Sequence, residues 1–320
     1  MSLEDPVVIT CAISGVLANR DQCRAIPYTP EEYGQEARRA VEEGASMIHI
    51  HARRRDGTPS FEAEDFIAIT QAIRDAAGDV VINYSTGTIG VPVQKRIEYL
   101  EAGRPEVAAL NMGSMNYAKY SSSRKGFVFE MVFSNPFSEI VELLEAMRRL
   151  SIKPEHECFD LGHIGSLAPL IDMGVLDPPL HVDCILGVTG GAPPTARNLA
   201  AMVDNIPGVS SGFGGEGGGG AGGGAAGRGH SHWAVIGISR QQWTLIAAAL
   251  SLGGSIRAGL EDNLYLPNGE MARSNGELIA KARQMTEDAG RRPATVSEAR
   301  ALLRVPRQEE EGRGAGVGLR

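Results

Sequence analysis

Short apolar runs alternate with longer segments of 3.6-residue periodicity along most of the chain. The runs are VVITCAI (7–13), SMIHIHA (46–52), VVINYS (80–85), VAALNM (107–112), HECFDL (156–161), HVDCIL (181–186), WAVIGI (233–238) and SIRAGL (255–260). Their length and β-branched content predict strands. Between them, FEAEDFIAITQAIRDAA, VPVQKRIEYLEA, SEIVELLEAMRRL, TARNLAAMVDNI and SRQQWTLIAAALSL repeat apolar residues at helical spacing. Thr29-Pro30-Glu31-Glu32 reads as a capping box with proline at the first helical position, and Gly44 as the stop of that helix. Two further helices, at roughly 275–288 and 296–303, follow the eighth strand.

Eight strands alternating with helices predict an α/β protein with a parallel sheet, and eight such units predict a (β/α)8 TIM barrel with a C-terminal helical extension. The rival is an open doubly wound sheet. It wants a glycine fingerprint after the first strand, where CAISGVLANRD carries a single glycine. The expected organisation is one barrel domain over 1–305. The stretch 212–230, GFGGEGGGGAGGGAAGRGH, is read as a flexible surface loop and 306–320 as a disordered tail. KGFVFEMVFS, 125–134, is either a hairpin or a ninth strand outside the barrel.

Composition narrows the class. Hydrophobic residues are 42% of 320, ample for a core, and the net charge of −8 comes without a basic stripe, which argues against nucleic acid. No apolar run is long enough to span a membrane, and MSLEDPVVITCAIS lacks the basic flank of a signal peptide. Cys11, Cys23, Cys158 and Cys184 are scattered, as expected of reduced thiols in a cytoplasmic protein.

The chemistry lies at the C-terminal ends of the strands, where such barrels carry their active sites. In SMIHIHARR, period-two alternation puts His49 and His51 on one face with Met47, and Ile48 and Ile50 on the other. Arg53 follows them. The third strand ends in Asn83, Ser85, Thr86 and Gly87, the fourth in Asn111, Gly113 and Ser114, the fifth in Glu157, Asp160 and His163. On the eighth strand, alternation puts Arg257, Gly259 and Glu261 on one face, with Asp262 and Asn263 beyond. In a closed barrel the eighth strand neighbours the first, and the first the second, so Glu261 can approach both histidines. Two imidazoles and a carboxylate with an open position form the ligand set of a catalytic zinc site, and non-haem iron(II) uses similar ligands. The plainer readings are a hydrogen-bonded histidine pair, an Arg257–Glu261 salt bridge, and Glu157 or Asp160 capping a helix. GVTGGAPPTARNL, 187–199, is weakly suggestive of an anion held at a helix N-terminus.

VVITCAISG, EEGASMIHIHARRRDGTPS, NYSTG, LNMGSMNY, KPEHECFDLGH, ILGVTGGAPPT and RAGLEDNLYLPNGEMARSN, in this order, resemble the β-keto acid cleavage enzymes over about residues 6–305. The family's first described member is the 3-keto-5-aminohexanoate cleavage enzyme. The resemblance implies a zinc-dependent barrel, commonly a homotetramer, with one Zn2+ per subunit. It implies His49, His51 and Glu261 as metal ligands, and Arg257 and Asp262 as catalytic residues. It implies that Ser85 and Asn111 stand in substrate-binding positions, and the strand-end residues Thr86 and Arg53 are expected to bind substrate beside them. The family's fifth-strand glutamate corresponds to Glu157, with Glu155 the nearby alternative. The implied reaction is a Claisen-type exchange in which a β-keto acid and acetyl-CoA give acetoacetate and a new acyl-CoA.

The loop SGVLANRDQCRAIP departs from members that act on amine-bearing substrates, which place an acid near its start. Leu17 stands there, which argues against a 5-amino β-keto acid. Arg20 or Arg24 would suit an anionic substrate tail, Val16 and Leu17 an apolar one. The competing function is a metal-dependent hydrolase or aldolase on a small carboxylate, with His163 and His181 as its spare histidines. A metal-binding barrel without activity is the third reading.

Overall fold

A computed structural model of the chain describes residues 3–209 and 230–306. Apart from His230 and Pro306, the Gly-rich stretch at 212–230 and the tail at 306–320 lie outside the described residues.

Eight parallel strands close into a barrel. In chain order they are β1 (Ile9–Ala12), β2 (Met47–Ile50), β3 (Val81–Ser85) and β4 (Val107–Asn111), then, after the hairpin of β5 (Met115–Ser121) and β6 (Gly126–Phe133), β7 (Lys153–Cys158), β8 (His181–Leu186), β9 (His232–Gly237) and β10 (Ser255–Ala258). Around the barrel the order is β1, β2, β3, β4, β7, β8, β9, β10 and back to β1. The helices α1 (Pro30–Glu42), α2 (Ala63–Ala77) and α3 (Val93–Gly103) connect the first four strands, and α4 (Phe137–Arg149) follows the hairpin. The remaining crossovers are α5 (Leu161–Gly165) with α6 (Leu167–Asp172), α7 (Ala196–Asp204), and α8 (Gln242–Ser251).

Local sequence sets these boundaries. Thr29 and Glu32 exchange the two bonds of a capping box at α1, with Pro30 in its first turn. The fifth barrel strand was expected over 156–161 but runs earlier, Lys153–Cys158. Asp160 turns the chain, because its side chain accepts the His163 N–H at 3.0 Å and caps α5. KGFVFEMVFS is one arm of a hairpin, and its partner is MNYAKYS, paired from Met115↔Phe133 to Ser121↔Gly126.

Alternation on the strands divides the side chains into two layers. Outward residues such as Ile48, Ile50, Ile82 and Tyr84 pack under the helices in the main core. Inward residues at the N-terminal end, Val8, Met47, Val81 and Val107, pack against Ala294, Ala299 and Leu303. The C-terminal extension, α9 (Asn275–Asp288) and α10 (Val296–Leu303), therefore plugs the bottom of the barrel with α10. That leaves the opposite end open for polar groups.

Candidate active site

His49 and His51 follow one another up the inner face of β2. His49 is buried, His51 sits higher and half-buried, and their rings meet edge to face at 5.4 Å. Glu261 reaches them from beyond β10. Its Oε1 lies 3.7 Å from His49 Nε2 and 3.4 Å from His51 Nε2.

Strand alternation does not carry Glu261 there. β10 ends at Ala258, and Gly259, at φ +152°, breaks the expected parity. The chain then crosses to β1, where the Glu261 N–H donates to Ala12 O at 3.2 Å. A Cβ on Gly259 would lie 2.0 Å from Ala12 O, and one on Gly15 would lie 2.6 Å from Glu261 Cγ. Both glycines are needed because the backbone and the carboxylate pass too close for a side chain. Gly259→Ala is expected to displace Glu261. Metal content of the purified variant, assayed by mass spectrometry against wild type, should fall with the barrel's circular-dichroism spectrum retained.

Arg257 organises the rest. Its Nε donates to Asp262 Oδ2 at 2.9 Å and its Nη2 to Asp262 Oδ1 at 3.0 Å, a two-point clamp. Nη2 also reaches Glu261 Oε1 at 2.6 Å, and Nη1 reaches Glu157 Oε1 at 3.3 Å. The salt bridge read as the plain alternative is thus present, within a larger cluster. Burial works against the Arg257 charge, but Asp262, Glu261 and Glu157 outweigh it and raise its pKa well above the ordinary value. Burial likewise opposes ionisation of Glu261, yet Arg257, His51 and His49 overcome it and hold the carboxyl well below its usual range. Burial, reinforced by Arg257, holds His49 far below the usual imidazole range, so this ring stays neutral. Burial raises Asp262 to about 6 and Glu157 to about 8. The two carboxyls are pushed apart, one ionised and one protonated at neutral pH.

Three observations show that the site fits a divalent metal ion. His49 Nε2 and Glu261 Oε2 are buried without a hydrogen-bond partner. The donor atoms of His49, His51 and Glu261 lie within 4.8 Å of one another. Ligand bonds of about 2.0–2.1 Å to one tetrahedral ion would place donors roughly 3.3 Å apart, close to the observed spacing. Around Arg257, the ionised carboxylates of Glu261 and Asp262 face one guanidinium, a local excess of negative charge that a divalent cation would offset.

Above this floor lies a cavity of ≈ 340 Å³ lined by His51, Ser85, Asn111, Glu157, Arg257, Glu261 and Asp262 among others. Of the candidate site residues, His49, Arg53 and Thr86 do not line it; His49 is buried beneath His51. The Arg53 guanidinium donates to the carbonyls of Ser14, Gly15, Ala18 and Gly57 at 2.6–3.2 Å, bracing the loop after β1. Thr86 Oγ1 donates to Ala109 O at 2.5 Å, tying β3 to β4. His163 is also outside the cavity, its Nδ1 accepting the Phe159 N–H at 3.2 Å.

Glu155 lies deeper than Glu157. It accepts from Asn83 Nδ2 at 2.8 Å and, with Asp183, flanks His181 at 3.6 and 3.2 Å. Burial, then Asp183, raise its pKa well above the ordinary value. The folded chain therefore binds a proton that the unfolded chain releases above its pKa near 4.3, so this group weakens the fold as pH rises. Glu155→Gln mimics the protonated form. Its thermal midpoint should exceed that of wild type at pH 8, by a margin that shrinks toward pH 5. Equal destabilisation at both values would instead show Glu155 to be ionised and paired.

The sequence reading missed the apolar lining. Tyr117, Met131 and Phe133 come from the hairpin, and Phe159, Ile185 and Ile236 from the ends of β7, β8 and β9. The inward positions of β8 and β9 held that signal, at Ile185 and Ile236, but an isoleucine in a strand reads as core.

Comparison with known proteins agrees with the fold and identifies the family. The sequence profile of the beta-keto acid cleavage enzymes matches residues 6–305. The 3-keto-5-aminohexanoate cleavage enzyme of Fusobacterium nucleatum is 34% identical over 300 residues, 93% of this chain and 98% of that one. The 3-oxoadipate:acetyl-CoA acetyltransferase of Cupriavidus necator is 31% identical over 311 residues, 97% of this chain and 99% of that one. The apo structure of ObcA shares the fold, with a TM-score of 0.66 at 18% identity over 88% of this chain and 66% of that one. With its profile matched from end to end of the barrel, the chain belongs to the β-keto acid cleavage enzyme family and is an acyl-transferring enzyme.

Proposed function

We propose that the protein exchanges the acyl group of a β-keto acid with that of acetyl-CoA, in a zinc-dependent reaction that yields acetoacetate and a new acyl-CoA. The observation that carries this is the cluster of Asp262, Glu157 and Glu261 about Arg257, beside His49 and His51 at the cavity floor. Relatives whose names specify acetyl-CoA-dependent transfer support it, among them the 3-oxoadipate:acetyl-CoA acetyltransferase.

His49, His51 and Glu261 would hold the ion. Bound there, it would supply Lewis-acid polarisation to the keto oxygen of the substrate. Asp262, ionised and fixed by two bonds from Arg257, removes a proton from C2 of the keto acid. C2 then bonds to the acetyl carbonyl carbon as that carbon's bond to the CoA sulfur breaks. The freed CoA thiolate adds to the original keto carbon, the bond between C2 and that carbon breaks, and Asp262 returns the proton to C2. The carboxymethyl unit leaves as acetoacetate, and the remaining acyl group leaves on the CoA sulfur. Atoms balance without a further reactant. Ser85 and Asn111, at the ends of β3 and β4, hydrogen-bond the substrate carboxylate. Glu157, protonated at neutral pH, donates to developing negative charge on oxygen. Arg257 keeps its charge throughout and orients the three carboxyls.

The test is acetoacetate and acyl-CoA formation by purified enzyme of known zinc content. Product formation that needs both substrates and stops with a chelator is the expected result. Turnover of the keto acid without CoA would replace this reading with a metal-dependent hydrolase or aldolase.

A further inference from the structure

The strands supply the cavity unequally. β2 gives His51, β3 Ser85, β4 Asn111, β7 Glu157 and β10 Arg257. The two adjacent strands β8 and β9 give Ile185 and Ile236. Met115, Phe159, Val188, Tyr117, Phe133 and Ile238 pack with these two isoleucines into a cluster separate from the main core. The hairpin thus roofs an apolar sector that faces the polar floor.

The opposite rim is apolar too. Leu17 and Ile89 line the cavity, yet each leaves more than half of its surface exposed. They carry the apolar lining out to the mouth of the cavity.

Charged groups are confined to the floor. Among the described residues, the charged side chains and histidines lining the cavity are His51, Glu157, Arg257, Glu261 and Asp262, all within the cluster already described. The arginines that could have met an anionic tail are elsewhere. Arg20 pairs with Glu32, donates to Ile26 O at 3.0 Å and lies 4.1 Å over the Tyr28 ring. Arg24 is exposed and does not line the cavity.

We propose that the β-keto acid accepted here carries an uncharged alkyl tail, which is buried against the apolar walls of the cavity. The inference rests on the acyl-exchange reading above and adds the substrate class to it. A second carboxylate or an ammonium on the tail would enter the cavity with no charged partner beyond the floor cluster, and burying an unpaired charge is costly. Each tail methylene, by contrast, gains burial free energy.

The experiment is one panel on the zinc-loaded enzyme with acetyl-CoA. Its members are 3-oxobutanoate homologues of increasing alkyl length, 3-oxohexanoate and 3-oxooctanoate, then 3-oxoadipate for an anionic tail and 3-oxo-5-aminohexanoate for a cationic one. Acyl-CoA formation, or labelled acetyl exchange for the shortest member, gives kcat/KM. The expected result is a rise of up to about fourfold per added methylene until the cavity is filled. Both charged substrates should fall at least ~100-fold below the best alkyl one. Turnover of 3-oxoadipate or of the amino acid at the rate of the alkyl series would overturn the apolar assignment and leave acyl exchange standing. Silence across the whole panel would reject the acyl-exchange reading itself, and the substrate class with it.

Discussion

Glu261→Gln is expected to abolish the metal binding proposed for this site. The substitution preserves side-chain length, and so the close packing against Gly15, where a Cβ would lie 2.6 Å from Glu261 Cγ. It removes the anionic donor that sits 3.4–3.7 Å from both imidazole nitrogens. Two imidazoles alone hold a divalent ion weakly, and loss of the carboxylate should lower zinc affinity by at least ~100-fold. Arg257 keeps its two bonds to Asp262, so the barrel should remain folded. Zinc per chain, measured by mass spectrometry after dialysis, reads the outcome, with acyl exchange expected to fall by more than ~10²-fold in parallel. Full zinc occupancy in the variant would remove Glu261 from the ligand set.

How much of this was legible in the sequence depended on period. His49 and His51 share a face because strand alternation is strict, and nothing in the folded chain alters that. Glu261 reaches the same place by a route the pattern does not contain. β10 stops at Ala258 and a glycine turn carries the chain across β1, so parity along SIRAGLE named the right residue for an incomplete reason. Arg53 and Thr86 show the converse. Their types suit substrate binding, but whether a donor is spent on a backbone carbonyl is decided by loops far apart in sequence. The first hairpin arm escaped notice because MNYAKYS is largely solvent-facing and its apolar positions follow no clean alternation. The apolar cavity wall escaped because a strand isoleucine looks the same whether it faces another core residue or a ligand.

Asp262→Asn should leave the metal in place and stop the chemistry. Asp262 is adjacent to Glu261, the proposed ligand, but does not belong to the set of donor atoms within reach of both histidines. Its role follows from its surroundings. The side chain is held at both oxygens by Arg257, and burial raises its pKa to about 6, so at neutral pH it is ionised and still basic enough to accept a proton. Asparagine retains one acceptor for Arg257 and loses the base. Turnover should fall by ~10²–10⁴-fold, the range for removal of a general base, with kcat and kcat/KM lowered together. A structural role alone could also lower turnover, so a second readout is needed. Deuterium exchange at C2 of a β-keto acid in D2O, followed by NMR without acetyl-CoA, isolates the proton transfer. Wild type should accelerate that exchange above background and the zinc-replete variant should not. Exchange at the wild-type rate would assign the proton transfer to another group, with Glu157, on the far side of Arg257, as the next to substitute.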